Sequence, residues 1–401
     1  MNLPHAAWRD RAGFADLLDA LGARDGLIRY VGGAVRDTLV GRPVSDVDCA
    51  TVLPPDEVSA RVTRAGLRAI PTGIAHGTVT VLLPDSTPIE VTTLRRDVST
   101  DGRRATVAFT DDWREDAARR DFTINALSAD PADGALFDYF GGAADLAAGR
   151  VAFIGEPLQR IAEDHLRILR FFRFHARFGR GAPDAPALAA CVARANDLMA
   201  LSRERIADEL LKLLGGADPA ATLALMVGHG ILRPVLPEID AAGVARLENA
   251  VAREAALGVD PAALRRLGAL LPPDPMIVRG VAERLRLSKA ARKRLADAAA
   301  PADARADRLP QLAYRIGVEA ATDWAVTSGG AETIAPLLSW ARPRLALGGG
   351  DLIALGLAPG PAVAQALQAV ERAWADAGFP DEAWQRAHAA GVVAQALRAR
   401  Q

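Results

Sequence analysis

Along the chain, apolar positions change spacing in a way that separates a mixed front from a helical rear. Residues 27–31 form an almost wholly apolar run of strand length, ending at Gly32-Gly33. Residues 34–40 carry apolar positions at helical spacing, and Gly41-Arg42-Pro43 stops that helix. Residues 44–52 return as a strand in which Asp46 and Asp48, two apart, share one face of the pleat. Residues 6–21 predict an amphipathic helix with Trp8, Phe14, Leu17, Leu18 and Leu21 inward, and Pro54-Pro55-Asp56-Glu57 opens another that runs to about Arg64. Strands follow at 78–83 and 88–94, split by Pro84-Asp85-Ser86. In the second, Ile89-Glu90-Val91 turns Glu90 away from its apolar neighbours. Residues 95–119 are charged and without clear periodicity, which predicts a mobile loop holding a short strand at 105–109. Next, Phe122, Ile124 and Leu127 anchor a predicted helix start that aims Arg120 and Asp121 at a cleft. Residues 136–154 read as a turn-rich link to an all-helical remainder.

In that remainder, residues 156–177 predict one continuous helix. Ile161, Ile168, Leu169, Phe172 and Ala176 make its apolar stripe, and His165 falls inside the stripe as a packed core histidine. Arg160, Glu163, Asp164, Arg167, Arg170, Arg173 and Arg177 occupy the other half, with Asp164 and Arg167 three apart and hence neighbours on a helix surface. Ser202 is an N-cap for the next helix. Beyond residue 215 the helical segments are separated by Gly215-Gly216, Gly228-His229-Gly230, Pro272-Pro273-Asp274-Pro275 and Gly348-Gly349-Gly350, and residues 299–303 mark a boundary. Arg284, Arg286, Lys289, Arg292, Lys293 and Arg294 are the densest basic cluster, either an RNA-backbone contact or a solvated helix face.

Composition narrows the class. At 401 residues, half of them hydrophobic, the chain exceeds one ordinary core and predicts two to four domains. It has no charge-free apolar run long enough to span a membrane and no basic-then-apolar leader after Met1. Two cysteines cannot build a disulfide framework and suit a reducing cytoplasm, with Cys49 a small buried filler beside the acidic pair. The net charge of −1 makes any nucleic-acid surface a local patch. Arginine supplies all but Lys212, Lys289 and Lys293 of the 48 basic residues, and its planar fork suits phosphate and base edges.

The candidate chemistry joins these pieces. Glycines that allow a tight turn, followed by a helix N-terminus, offer backbone N–H groups to phosphate. Two carboxylates alongside suit Mg²⁺, which takes one or two protein oxygens and leaves its other positions to water and substrate phosphates. GGAVRDTLVG…SDVDCAT resembles the signature of the class II tRNA nucleotidyltransferase and bacterial poly(A) polymerase family. RRDFTINA (Arg119–Ala126), EDHLR (Glu163–Arg167) and SRERIADE (Ser202–Glu209) extend the likeness over residues 27–215.

The resemblance implies an α+β fold: a nucleotidyltransferase head of polymerase-beta-like type (1–140), then a helical neck (141–215), body (216–300) and tRNA-binding tail (301–401). It implies that Asp46 and Asp48 hold two Mg²⁺ ions, with Glu90 either a third carboxylate or a solvent-facing strand residue. Gly32, Gly33 and Arg36 cradle phosphate, Arg120 meets the triphosphate, Asp121 lies near the ribose, and Arg170 and Arg173 meet triphosphate or base. In the motif containing Glu163, Asp164 and Arg167, the carboxylate accepts from an exocyclic amino group and the guanidinium donates to the adjacent ring nitrogen. Cytosine and adenine present that edge, whereas uracil and guanine place a carbonyl oxygen against the acid. A mispaired buried polar group can support discrimination of about 10⁴ or more. The SRERIADE segment implies a brace for the recognition helix. The implied partners are tRNA, CTP and ATP, with neither a membrane nor an obligate protein partner. A retained 95–119 loop favours complete CCA addition over CC-only addition, and the basic extension usual in poly(A) polymerases is missing. No His-Asp dipeptide marks an appended phosphohydrolase. The remaining alternatives are a poly(A) polymerase, a partial CC- or A-adding enzyme, and a non-catalytic RNA-binding relative.

Overall fold

The computed structural model describes residues 1–101, 104–299, 304–328 and 332–398. The chain divides into two compact units, residues 1–235 and 236–401.

In the first unit, a seven-stranded sheet has the order β3-β4-β5-β2-β1-β8-β9. The strands are β1 (Ile28–Val31), β2 (Val47–Thr51), β3 (Arg68–Gly73), β4 (Thr78–Leu82), β5 (Pro88–Thr93), β8 (Ser128–Ala129) and β9 (Leu136–Phe137). Only β2 and β5 pair in parallel; all other neighbours are antiparallel. Helix α1 (Phe14–Ala20) precedes the sheet, α2 (Gly33–Leu39) packs on β1 and β2, and α3 (Pro55–Arg64) packs on β3, β4 and β5. Ile28, Val47, Cys49, Val79, Val81, Ile89 and Val91 are buried, so alternation on the strands makes the core. Strands β6 (Arg95–Asp101) and β7 (Arg104–Phe109) form a separate hairpin, followed by α4 (Trp113–Ala118).

Several local expectations need correction. Residues 6–21 are not one helix: a 3-10 turn, Ala7–Asp10, is separated from α1 by Gly13, whose φ is +77°. The ring of Pro84 lies 2.6 Å from where a Cβ on Gly13 would stand, so a close approach sets the break. The inward residues are nevertheless all buried. The predicted loop at 95–119 is mostly the β6–β7 hairpin plus α4; residues 102 and 103 at its tip lie outside the described residues. Strand β3 escaped prediction because its half-exposed residues lack an apolar alternation. Phe122, Ile124 and Leu127 are buried, but the segment is a 3-10 turn, Thr123–Asn125, leading to β8 rather than a helix start.

The rest of this unit is helical: α5 (Gly142–Ala148), α6 (Pro157–Glu163), α7 (Arg167–Phe178), α8 (Ala185–Ala193), α9 (Arg203–Leu214) and α10 (Ala220–Gly228). The single helix predicted at 156–177 is thus two. Asp164 is extended (φ −152°, ψ 106°), and its Oδ1 accepts the Leu166 N–H at 3.1 Å. Aspartate satisfies exposed N–H groups at the start of a helix better than it serves within one. His165 lies at this break, partly exposed and 3.7 Å from Asp197, rather than in a core stripe. Phe122 meets Phe153 and Phe174 with ring centroids 4.8 and 5.4 Å apart, pinning α7 to the segment carrying Arg120 and Asp121.

The second unit contains α11 (Ala241–Leu257), α12 (Ala263–Leu270), α13 (Pro275–Arg284), α14 (Lys289–Ala299), α15 (Leu309–Ile316), α16 (Val318–Thr327), α17 (Ala335–Leu338), α18 (Gly349–Ala354), α19 (Pro361–Asp376) and α20 (Glu382–Arg398). Buried Arg265 bridges Glu254 and Asp323 at 2.8 and 2.9 Å. Within the basic cluster, Arg284 pairs with Glu238, Arg292 with Glu283, Lys293 with Asp297, and Arg294 with Asp323. Much of its charge is therefore neutralised inside the unit. The boundary predicted at 299–303 falls mainly on residues 300–303, outside the described residues.

Candidate active site

Strand β2 places the acidic pair. Asp48 lies opposite Val31 of β1 and, in the parallel register, opposite Glu90 of β5, so Asp48 and Glu90 leave the same face. Asp46 stands two residues earlier, exposed, with Ser45 Oγ donating to its Oδ2 at 2.9 Å. Burial raises the Asp48 pKa, and the Glu90 and Asp46 carboxylates add to the rise against the pull of Arg120. A carboxylate crowded by others of its charge is a place where a cation lowers the energy. Among the described residues, no three His, Cys, Asp or Glu side chains converge into a cage. Glu90 stands beside Asp48 on that face and adds to its negative field. An all-oxygen set of two neighbouring aspartates fits a hard divalent ion that keeps water or phosphate in its other positions. Cys49 is fully buried, and burial pushes its thiol pKa far up, as suits a filler.

The glycine turn follows from backbone geometry. Gly32 has φ +65° and ψ −121°, and a Cβ there would stand 2.8 Å from Arg120 Nη1. The positive φ is what requires glycine, while the guanidinium, at the end of a flexible side chain, could move aside.

These groups open on a cavity of about 890 Å³. Every predicted site residue except Glu163 lines it: Gly32, Gly33, Arg36, Asp46, Asp48, Glu90, Arg120, Asp121, Asp164, Arg167, Arg170 and Arg173. Arg36 is buried, with Nε donating to Asp37 Oδ1 at 2.8 Å and Nη1 donating to Asn125 Oδ1. Burial lowers its pKa while Asp37 works in the other direction. Arg120 donates to the Asn125 carbonyl at 3.3 Å and pairs with Asp116 at 3.4 Å. Helix α7 presents Arg170, Arg173 and Arg177 on one face, paired respectively with Asp121, Glu209 and Asp37 at 2.6, 2.6 and 2.7 Å.

Two expected roles change. Glu163 does not line the cavity; it takes Arg160 and Arg167 at 2.6 Å each and holds the second of these in place. Asp121, expected near a ribose, commits Oδ1 to the Phe122 N–H and the Asn125 amide, both at 2.9 Å, and Oδ2 to Arg170. Burial pushes its pKa up, but Arg170 and these hydrogen bonds outweigh burial and hold it below the ordinary carboxylate range. In this structure it holds Arg170 at the cavity wall.

Asp164 and Arg167 both reach the cavity although the helix breaks between them. Arg167 is steadied by Glu163 and by the Arg160 carbonyl at 2.7 Å, and Asp164 by Arg205 at 2.8 Å. Arg205 and Glu209 belong to the segment read as a brace: one holds Asp164, the other Arg173. Asp37, Asn125, Arg177 and Lys212 also line the cavity without having been singled out. Asp37 and Asn125 lay inside the quoted motifs, and Arg177 one turn beyond Arg173; nothing in the sequence pointed to Lys212.

Residues 28–152 match the family described as the Poly A polymerase head domain, and residues 184–242 match one described as the probable RNA and SrmB-binding site of polymerase A. Mouse mitochondrial CCA tRNA nucleotidyltransferase 1 is 34% identical over 390 residues, 92% of this chain and 87% of the relative. The CCA-adding enzyme of Levilactobacillus brevis is 40% identical over 205 residues, half of each chain. Among solved structures, the Bacillus stearothermophilus CCA-adding enzyme in complex with CTP aligns with a TM-score of 0.73 and 27% identity over 97% of this chain and 99% of that one. The near full-length likeness to the mouse enzyme, with the head-domain match and the acidic pair in its glycine-walled cavity, shows that this chain belongs to the family of CCA tRNA nucleotidyltransferases.

Proposed function

We propose that the protein adds cytidine, cytidine and adenosine to the 3′ end of tRNA without a nucleic-acid template, using CTP and ATP and releasing pyrophosphate. The observation that carries this reading is a single cavity lined by Asp46 and Asp48 and also by Asp164 and Arg167. Asp46 and Asp48 are the residues that would hold a divalent ion, Mg²⁺ in this reading, with Glu90 adding negative field. When bound, such an ion acidifies the attacking hydroxyl and neutralises triphosphate charge.

The chain's own groups do the rest. The Gly32-Gly33 turn leaves room for phosphate against the backbone, and Arg120, Arg170 and Arg173 supply fixed cations for its oxygens. Arg36, tied to Asp37 and Asn125, underlies that wall. Asp164 accepts from the amino group of cytosine or adenine while Arg167 donates to the adjacent ring nitrogen, so selection follows from hydrogen-bond polarity. The RNA 3′ oxygen attacks the α-phosphorus, and the bond to pyrophosphate breaks.

By this reading residues 1–140 are the catalytic head, 141–215 the neck that reads the base, 216–300 the body and 301–401 a tail that contacts tRNA. We assign the protein to the cytoplasm, a reducing compartment that suits the buried free thiols of Cys49 and Cys191.

The test is incubation with CTP, ATP and tRNA lacking its 3′ end, followed by sequencing of the product. Addition of CCA is the expected result. A run of adenosines would mean poly(A) synthesis, and no extension would refute nucleotidyl transfer.

A further inference from the structure

Three arginines of the phosphate-binding wall come from different elements: Arg36 from α2, Arg120 from the segment before the 3-10 turn and Arg170 from α7. One small residue stands among all three. Asn125 is buried; its Oδ1 accepts from Arg36 Nη1, its backbone carbonyl accepts from Arg120 Nη1 at 3.3 Å, and its Nδ2 donates to Asp121 Oδ1 at 2.9 Å. Asp121 in turn holds Arg170 through Oδ2 at 2.6 Å. We propose that Asn125 is the positioning residue that sets these guanidiniums in register for the phosphates of the incoming nucleotide. The inference rests on the nucleotidyl-transfer reading and deepens it.

The chemistry singles out an amide. Arg36 offers only donors, and an ionised Asp121 offers only acceptors. The residue between them must present an acceptor on one side and a donor on the other, within a short side chain. Aspartate would keep the acceptor for Arg36 but set a second carboxylate against Asp121. Leucine would take the acceptor from buried Arg36 Nη1 and one of the two donors from Asp121 Oδ1, the costlier way to lose a hydrogen bond. The network also fixes which end of the amide is oxygen, since the reverse orientation would point Nδ2 at a guanidinium. Asp164 and Arg167 are held chiefly by Arg205 and Glu163, and neither touches Asn125, although Arg167 also reaches the Arg119 carbonyl at 3.4 Å. Asn125 therefore acts on phosphate affinity directly and on base selection only at a distance.

The test compares wild type with Asn125→Asp, using inhibition by inorganic pyrophosphate, KM for CTP and ATP, and the ratio of CTP to UTP incorporation. Direct calorimetric titration with tripolyphosphate supplies a readout independent of turnover. The expected result is a rise of roughly ten- to a hundredfold in the pyrophosphate inhibition constant and in both KM values, with a parallel weakening of tripolyphosphate binding. The CTP to UTP ratio should stay at its wild-type value. The double variant Asp121→Asn/Asn125→Asp, which restores one carboxylate and one amide, should recover part of the lost pyrophosphate affinity. Wild-type pyrophosphate inhibition in Asn125→Asp would overturn the inference, as would a loss of base selectivity as large as the loss of phosphate affinity, since that pattern means a collapsed site. If Asn125→Asp fails to fold, Asn125→Ser is read by the same criteria. Failure of wild type itself to extend RNA would count against the nucleotidyl-transfer reading, whereas extension with unaltered inhibition in the variant counts against Asn125 alone.

Discussion

Replacing Arg205 by alanine tests whether base selection depends on how Asp164 is held. Arg205 Nη2 lies 2.8 Å from Asp164 Oδ2, and both side chains are about a quarter exposed (27% and 26%). Among the described residues, the other donor to that carboxylate is the Leu166 N–H at 3.1 Å. A hydrogen bond between charged groups is worth about 1.5–3 kcal/mol, and partial exposure pulls this pair toward the lower end. At 1.4 kcal/mol per factor of ten, loss of the anchor should reduce discrimination by about tenfold. The carboxylate can then turn away from the amino group it must accept from, and a carbonyl oxygen on UTP or GTP meets less repulsion. The assay is kcat/KM for CTP, ATP, UTP and GTP on tRNA lacking its 3′ end. Arg205→Ala should lower the CTP to UTP ratio about tenfold, with Arg205→Lys recovering part of it. If kcat/KM fell equally for all four nucleotides, Arg205 would be a structural support only, and the argument linking it to selectivity would be wrong.

Other predictions follow from the same geometry. Asp48→Ala should abolish nucleotide incorporation while tRNA binding, measured by filter retention or fluorescence anisotropy, stays near wild type; residual turnover would exclude this carboxylate from the catalytic centre. Gly32→Ala forces a side chain into φ +65° and toward Arg120. It should cost about 1–3 kcal/mol in stability and raise KM for both nucleotides, read from thermal melts and steady-state kinetics. Asp121 has a folded pKa held below its unfolded value of about 3.9. Its contribution to stability is therefore complete above about pH 4 and is lost as pH falls towards the folded value. Melting temperature measured from pH 6 down to pH 3 should fall less steeply in Asp121→Asn than in wild type.

How much of the site was legible depended on how local its geometry is. The glycine turn, the two-residue spacing of Asp46 and Asp48, and the burial of Phe122, Ile124 and Leu127 all follow from backbone periodicity within a few residues. The acidic pair, the Arg120 segment and the residues of EDHLR could be found because each lies within one short stretch of chain. Three readings failed where tertiary contact overrode local pattern. Pro84 presses on Gly13 and interrupts the first helix. Charge in 95–109 hid a hairpin whose strands pair with each other rather than with the main sheet. Asp164 ends one helix and accepts the Leu166 N–H just before the next, where an apolar stripe at helical spacing had predicted continuity.

The sequence by itself therefore determined most strands of the head, the class of chemistry and twelve of the nineteen residues that line the cavity, because alternation, turn residues and short motifs act over short distances. Only the tertiary structure decided how those residues divide the work. Asp121 holds Arg170 across 49 positions, Arg205 holds Asp164 across 41, and Arg177 reaches Asp37 across 140. No local period encodes pairings of that range. They exist because burying arginines around the cavity requires acceptors, and the fold recruits them from wherever the chain returns.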